Sequence, residues 1–339
     1  MLADCTEDNR VPDIGLSLAI SYYDHVSDLL RGRVRAEGIS LTVIELPVEE
    51  IFFRMVKFTE FDVAEFSMGK YVSLVAAGDP PFVAIPVFPS RVFRQSAFYK
   101  ATRAGIRDAK DLSGRRVGIP EWAQTAGIYA RAYLQHQCGV NLRDVRWVQA
   151  GVNEAGRVEK VKLTLPEGVH IERVPGRSLS NMLLMGDLEA IISAREPSPF
   201  VAGDSRIARL WPDTRAVEEA YYRETGIFPI MHVIAIKKTT FDRHPWIGMN
   251  LFKAFAEAKA NAQRHLGRAI TSRVPIPWAY NSLVEARNVF GEDCWPYGIE
   301  PNRCTLDAFL QYSHEQGVTN RKVQVEELFP RELSAFSKT

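Results

Sequence analysis

The feature that most constrains the fold is an alternation of short apolar runs with helical segments, which breaks near residue 95 and then begins again. Strand-like apolar runs cover residues 14–20, 39–46 and 61–66, and a segment with helical periodicity follows each of them. Such alternation is typical of parallel α/β units, in which ligands bind beyond the carboxyl ends of the strands. A length of 339 residues is enough for about two domains of this kind.

The stretch from Phe88 to Tyr99 separates the two series of units. It places Arg91 and Arg94 between two apolar runs, so we expect a crossing from one lobe to the other with both guanidinium groups facing a cleft. An extended apolar segment at 225–236 predicts the return crossing. Two α/β lobes joined by two crossings predict a periplasmic-binding-protein-like fold, which closes on a small ligand by a hinge. One continuous doubly wound sheet would give a similar pattern.

This interpretation divides the chain into three parts. Residues 1–13 are a polar N-terminal segment, residues 14–94 together with 233–339 form lobe 1, and residues 95–232 form lobe 2. The N-terminal segment has neither the basic start nor the apolar run of a signal peptide. No stretch reaches the roughly 18 apolar residues of a membrane span. We therefore expect a cytoplasmic protein that does not bind membranes.

Charge and cysteine content exclude several classes of partner and cofactor. The formal net charge is +1 and the basic residues are scattered, which argues against a nucleic-acid partner. The cysteines have no Cys-x-x-Cys spacing and are predicted to be free thiols; they are Cys5, Cys138, Cys294 and Cys304. The oligomeric state stays open, with a homo-oligomer as one alternative.

Three arginines form a candidate anion-binding set. Arg91 and Arg94 lie on the first crossing, and Arg195 follows a predicted strand at 188–193. Guanidinium groups bind carboxylates through two parallel hydrogen bonds, so three of them in one cleft would suit a dicarboxylate. Phe88 and Phe93, which lie beside Arg91 and Arg94 in the sequence, favour an aromatic ligand. The alternative for each arginine is a surface ion pair of little functional consequence.

A predicted helix start at 120–126 offers a second anion site. Backbone N–H groups at a helix N-terminus bind anions, and the Thr125 hydroxyl could contribute to binding. Glu121 is a candidate acid or base, or else a first-turn carboxylate that interacts favourably with the helix dipole. Trp122 belongs to the buried stripe of this helix and is also a candidate substrate contact.

Two histidines are candidates for proton transfer. His25 follows the first predicted strand, and His232 lies within the return crossing. Imidazole suits proton transfer near neutral pH, although a single histidine in an apolar run is usually a structural residue. The carboxyl ends of the strands place several polar residues at one edge of lobe 1: Tyr22, Asp24, His25, Glu65, Ser67 and Ser90.

Motifs for cofactors are absent from the sequence. Asp24, His25, Glu65 and His232 could in principle form a mixed oxygen and nitrogen metal site, but no spacing motif supports one. The glycine-rich motifs of nucleotide-binding proteins and the nucleophile-elbow motif are also missing. We predict neither a metal nor a cofactor.

Several segments together resemble one enzyme family. They occur in order as FRQS at 93–96, DLSG at 111–114, VGIPE at 117–121, TA at 125–126, GIFPIMH at 226–232, WPYG at 295–298 and EQG at 315–317. In this order the chain resembles 4,5-dihydroxyphthalate decarboxylase from about residue 16 to residue 329. The GIFPIMH block, with Tyr221 and Tyr222 upstream, is the most specific element, whereas DLSG also occurs in many solute-binding proteins.

The resemblance implies a periplasmic-binding-protein type II fold in a cytoplasmic enzyme that removes carbon dioxide from an aromatic acid without oxidation. The three arginines would then hold carboxylates, and His232, His25 or Glu121 would move protons. Ser67, Tyr22, Thr125 and Trp122 would complete the substrate site. The alternatives are a cytoplasmic binding or sensor protein for an aromatic acid and another small-molecule enzyme on the same fold.

Overall fold

The computed structural model describes residues 12–268, 270 and 274–334. These residues form two mixed β-sheets, each flanked by helices. The polar segment at 1–13 is described only from residue 12, so Cys5 lies outside the described residues. Cys138, Cys294 and Cys304 are free, as predicted. No helix of the described residues has the length and hydropathy needed to span a bilayer.

The strands divide between the sheets in the way that the interrupted alternation predicts. The first sheet has the order β2-β1-β3-β11-β4, and its strands are β1 (Ile14–Ile20), β2 (Ile39–Glu45), β3 (Val63–Ser67), β4 (Phe82–Ile85) and β11 (His232–Lys237). The second has the order β10-β5-β9-β6-β7-β8, and its strands are β5 (Phe98–Ala101), β6 (Arg116–Ile119), β7 (Arg146–Gly151), β8 (Ile171–Ser178), β9 (Ala190–Ile192) and β10 (Ile207–Arg209).

Helices cover the faces of both sheets. They are α1 (Ser27–Leu30), α2 (Val48–Phe58), α3 (Met68–Ala77), α4 (Thr125–His136), α5 (Leu179–Met185), α6 (Ser198–Val201), α7 (Thr214–Thr225), α8 (Lys238–Arg243), α9 (Ile247–Leu266), α10 (Ala279–Phe290), α11 (Arg303–Glu315) and α12 (Arg331–Ser334). The apolar residues of α3 pack into the core, and the helix ends where Gly78 adopts a φ of +124°. Glycine reaches such a conformation without the penalty that a side chain would impose.

Two adjacent crossings connect the sheets. The first crossing and the return segment pair in antiparallel fashion at Arg91 and Ile230. The N–H of Met231 donates to Ser90 O at 2.9 Å, which ties the return segment to the first crossing just before β11 begins. The return strand joins the first sheet between β3 and β4 and runs antiparallel to both. This arrangement brings the start of β11, at His232, to the hinge between the lobes.

The structure corrects the predicted helix after β1. Periodicity predicts a helix from Asp24 to about residue 34, but the chain makes a 3₁₀ turn at Asp24–Val26 and the single-turn helix α1. Gly32 has a φ of +68°, in the left-handed region, and the right-handed helix cannot continue through it. The sequence also predicts Asp24 as the N-cap of this helix, but the cap position is Tyr23 and no side chain caps the turn.

Two strands of the second sheet were not predicted. β8 is largely exposed, contains Pro175 and forms one edge of the sheet, while β10 forms the other edge with only three residues. An edge strand tolerates proline and needs no apolar alternation, because the backbone groups along one of its sides form no hydrogen bonds to a neighbouring strand. Neither strand therefore has the hydrophobic pattern that predicts a strand.

Candidate active site at the hinge

A buried carboxylate and a histidine meet where the return crossing enters the first sheet. Glu65 belongs to β3 and His232 to β11, and these two strands are antiparallel neighbours in the first sheet. Their register places His232 opposite Ser67, which is two residues after Glu65 in β3. The Nδ1 atom of His232 lies 2.5 Å from Oε1 of Glu65. Glu65 is fully buried, whereas the side chain of His232 keeps 17% of its surface exposed. One ring nitrogen is thus held inside the protein and the ring stays accessible.

Two further donors hold the carboxylate of Glu65. The Tyr23 hydroxyl donates to Oε1, and the backbone N–H of Ser21 donates to Oε2 at 3.0 Å. Burial and the nearby Glu65 raise the pKa of Tyr23, so its hydroxyl stays protonated and remains a donor. Because a carboxylate can only accept, Nδ1 of His232 carries the hydrogen between them. Nε2 is then the nitrogen that can exchange a proton with a ligand.

An aromatic ring and a cation extend the site beyond His232. Phe52 of α2 packs edge-on against the imidazole, with 5.0 Å between ring centroids. The Nζ atom of Lys70, in the first turn of α3, lies 5.8 Å from the centroid of the Phe52 ring. Burial lowers the pKa of Lys70 to about 8. The sequence analysis did not single out Lys70 or Phe52.

A cleft of about 750 Å³ adjoins the second sheet at the carboxyl ends of its strands. Pro120 follows β6, residues 152–158 and Lys160 follow β7, and Arg195 follows β9, so the cleft lies where parallel strands place ligands. Glu49 of α2 contributes to its wall from the first lobe. The position predicted for Arg195, in a cleft beyond a strand end, is therefore the one observed.

The cationic side chains of this cleft have carboxylate partners. Arg195 donates to Glu49 across the cleft at 2.7 Å, and both side chains are substantially exposed. Arg157 donates to the buried Glu121 at 2.7 Å, and Lys160 lies 3.9 Å from the same carboxylate. Glu121 thus serves as the counter-ion of two cations in the second lobe.

Arg91 and Arg94 do not share a partner with Arg195. The buried guanidinium of Arg91 donates to the backbone oxygens of Phe228 at 3.2 Å and Pro296 at 2.9 Å, and also to Asn302. This corrects the expectation that Arg91 faces the cleft, because its donors hold the hinge segments together. Arg94 donates from Nε to Sδ of Met231 at 3.1 Å, and burial lowers its pKa to about 10.

The structure corrects the predicted helix start at 120–126, because α4 begins at Thr125 and the turn before it binds a carboxylate of the same chain. Oε2 of Glu159 accepts from the backbone N–H of Trp122 at 2.6 Å and of Ala123 at 3.3 Å. Burial and the neighbouring Glu121 raise the pKa of Glu159. The N–H groups of Trp122 and Ala123 therefore already bind a carboxylate, and they precede the observed helix. That carboxylate comes from the loop after β7, which the sequence analysis did not connect with the helix.

Thr125 and Ser67 join the lobes to each other. The Thr125 hydroxyl lies 3.1 Å from that of Ser67 and accepts from the N–H of Gly69 at 2.9 Å. A Cβ at Gly69 would come within 2.9 Å of Ala123 O, so the first turn of α3 approaches the start of α4 closely. These contacts place the first turn of α3, including Lys70, beside the second lobe.

Three more predicted site residues have other surroundings. Trp122 is fully buried and donates from Nε1 to Gln316 O at 2.7 Å, so it packs in the core. Tyr22 is 47% exposed and accepts from Arg31. His25 is largely buried between the Tyr23 and Trp295 rings. Burial and repulsion by Lys259 lower the pKa of His25 to about 4, which leaves it neutral at pH 7.

The described residues contain no group of three or more His, Cys, Asp or Glu side chains arranged to hold a metal ion. Glu65 and His232 meet, while His25 turns toward Trp295. The mixed oxygen and nitrogen site that the sequence left open is therefore not assembled by these residues.

The chain is similar in sequence to two curated enzymes. A 4,5-dihydroxyphthalate decarboxylase of Comamonas testosteroni is 37% identical over 323 residues, which is 95% of this chain and 98% of that enzyme. This chain belongs to the 4,5-dihydroxyphthalate decarboxylase family. A 4,5-dihydroxyphthalate decarboxylase of Pseudomonas putida is 38% identical over 211 residues, which is 62% of this chain and 82% of that one. The predicted family is thus confirmed, although no protein-family model matches the chain.

The fold of this member of the 4,5-dihydroxyphthalate decarboxylase family is also that of a solved binding protein. The periplasmic aliphatic sulphonate binding protein SsuA of Escherichia coli matches with a TM-score of 0.54. The match covers 96% of this chain and 99% of that protein at 12% identity. The predicted two-lobed, periplasmic-binding-protein-like fold is therefore confirmed.

Proposed function

We propose that this chain catalyses the non-oxidative decarboxylation of 4,5-dihydroxyphthalate to protocatechuate and carbon dioxide. The observation that carries the proposal is the 37% identity to the Comamonas enzyme, extending over 98% of that enzyme's length. The pairing of Glu65 with an accessible His232 supports it, because this arrangement provides a proton-transfer group where the return crossing enters the first sheet. Lobe boundaries at 94/95 and 232/233 and a cytoplasmic location belong to the same proposal.

The substrate itself supplies the electrons for the reaction. Each carboxylate of 4,5-dihydroxyphthalate is para to a hydroxyl group, whose oxygen donates electron density to the ring carbon that bears that carboxylate. Protonation of this carbon gives a cationic ring that the hydroxyl oxygen stabilises. The bond to the carboxylate then breaks, its electron pair restores aromaticity, and carbon dioxide leaves. The result is one ring C–H bond in place of one C–C bond.

His232 is the proton donor in this scheme. Its Nε2–H gives the proton to the ring carbon, and the imidazole then recovers a proton from solvent. Glu65 accepts from Nδ1, which fixes the orientation of the ring and stabilises the imidazolium form that donates. A proton donor positioned in this way accelerates such a step by about 10²- to 10⁴-fold.

The test compares 4,5-dihydroxyphthalate with phthalate, which has the same carboxylates but no hydroxyl groups. We expect the chain to convert the first compound to protocatechuate and to bind phthalate without converting it, because only the hydroxyl groups supply electron density. Chromatography of the reaction mixture and calorimetric titration with phthalate measure the two outcomes. Return of 4,5-dihydroxyphthalate unchanged, with binding intact, would instead support a binding or sensor protein.

A further inference from the structure

The first turn of α3 carries a cation, Lys70, that forms no ion pair with any described residue. Among the described residues, no acceptor lies within hydrogen-bonding distance of the Nζ atom of Lys70, whereas Arg157 and Arg195 each donate to a carboxylate. Lys70 is also partly buried. A buried ammonium group without a partner is costly, and an anionic ligand can supply the missing partner.

The surroundings of Lys70 place it between the lobes. Lys70 belongs to the first lobe, but the charges that act on it come from Glu121, Lys160, Arg157 and Glu159 of the second lobe. Three cations, Lys70 included, thus face two carboxylates, which leaves one positive charge in excess. On its own lobe, Lys70 approaches the Phe52 ring, whose edge packs against His232.

We propose that Lys70 binds the carboxylate that remains on the ring after decarboxylation, while His232 acts at the other carboxylate. This inference rests on the proposed function, since it names the residue that recognises the second carboxylate of the same substrate. The Phe52 ring is close to both Lys70 and His232, so a substrate ring bound beside Phe52 can present adjacent carboxylates to the two residues. Lys70 is thus a specificity-determining residue for aromatic acids with neighbouring carboxylates.

The test measures binding of three ligands that differ in carboxylate content. In a Lys70→Met variant we expect the Kd for phthalate and for protocatechuate to rise about 10- to 100-fold, while the Kd for catechol, which has no carboxylate, stays unchanged. Lys70→Arg, which keeps the charge, should restore most of the phthalate affinity. Lys57→Met is the matched control, because Lys57 also lies over aromatic rings, those of Phe53 and Phe58, but is exposed on α2.

The pH dependence of binding gives an independent readout. With a pKa of about 8, Lys70 loses its charge as the pH rises through this value, so phthalate should bind more weakly above pH 8. Phthalate remains a dianion over this range, and Lys70→Arg should remove the decline because arginine stays protonated. A merely structural role for Lys70 would not make the decline depend on this substitution.

Each outcome decides for or against the inference. Parent-like phthalate binding by Lys70→Met, or an equal loss of catechol binding, would overturn it, and so would failure of the parent chain to bind phthalate. If the parent chain bound phthalate in a Lys70-dependent manner but did not convert 4,5-dihydroxyphthalate, the proposed function would fail and the carboxylate site at Lys70 would stand.

Discussion

Replacing His232 with glutamine is expected to lower kcat for 4,5-dihydroxyphthalate about 10³-fold, while phthalate still binds. Glutamine approximates the size of imidazole and its amide N–H can still donate to Glu65, but it cannot transfer a proton at neutral pH. Since Nδ1 of His232 is held by Glu65, the substitution removes chemistry at Nε2 with little change in packing. Initial rates of protocatechuate formation measure kcat, and calorimetric titration measures the Kd for phthalate.

The control for this substitution is His170→Gln, which makes the same chemical change at an exposed position. We expect it to keep the parent rate. A His232→Gln variant with full turnover would remove His232 from the mechanism. A variant that lost phthalate affinity in proportion to its rate would assign His232 to binding instead of proton transfer.

Replacing Glu65 with glutamine is expected to lower kcat about 10²- to 10³-fold, although Glu65 is buried behind His232. The carboxylate accepts from three donors, on Tyr23, Ser21 and His232. An amide offers one acceptor oxygen and directs its own N–H groups at the remaining donors. It also removes the negative charge that stabilises the imidazolium form of His232, so Glu65 acts as a positioning residue.

Kinetics and stability together distinguish this role from a structural one. Glu65→Gln should lower kcat with little change in the Kd for phthalate, because Glu65 does not face the ligand. Tyr23→Phe, which removes one donor and keeps the carboxylate, should cost about tenfold at most. If Tyr23→Phe and Glu65→Gln lowered kcat equally, or if the loss followed the fraction of unfolded protein in a denaturant titration, the positioning role would be wrong.

The lobes and their crossings could be predicted from sequence because each depends on local pattern. A charged stretch between apolar runs predicts a crossing. Because parallel strands place functional residues at their carboxyl ends, the sequence also predicts that Glu65 and Ser67 lie at one edge of the first sheet, which is where His232 is found. The pairing of Glu65 with His232 could not be predicted, because it depends on the register of strands that are 167 residues apart.

The arginines show why residue type alone misplaces a ligand site. A guanidinium group binds backbone oxygens as readily as carboxylates, and those that hold Arg91 belong to residues 137 and 205 positions away in the chain. The opposite error concerns Lys70, which looks like an ordinary solvated helix residue in the sequence. In the structure Lys70 is partly buried, forms no ion pair with the described residues, and is influenced by charges that all belong to the second lobe.

The most direct test of the account is a single closed-vessel reaction of the chelator-treated chain with 4,5-dihydroxyphthalate, in which carbon dioxide and protocatechuate are both quantified. Decarboxylation by protonation of the ring predicts one molecule of each product for every molecule of substrate consumed. Substrate that binds but yields no carbon dioxide, even after divalent metal is added back, would contradict the proposal that this chain is a decarboxylase of 4,5-dihydroxyphthalate.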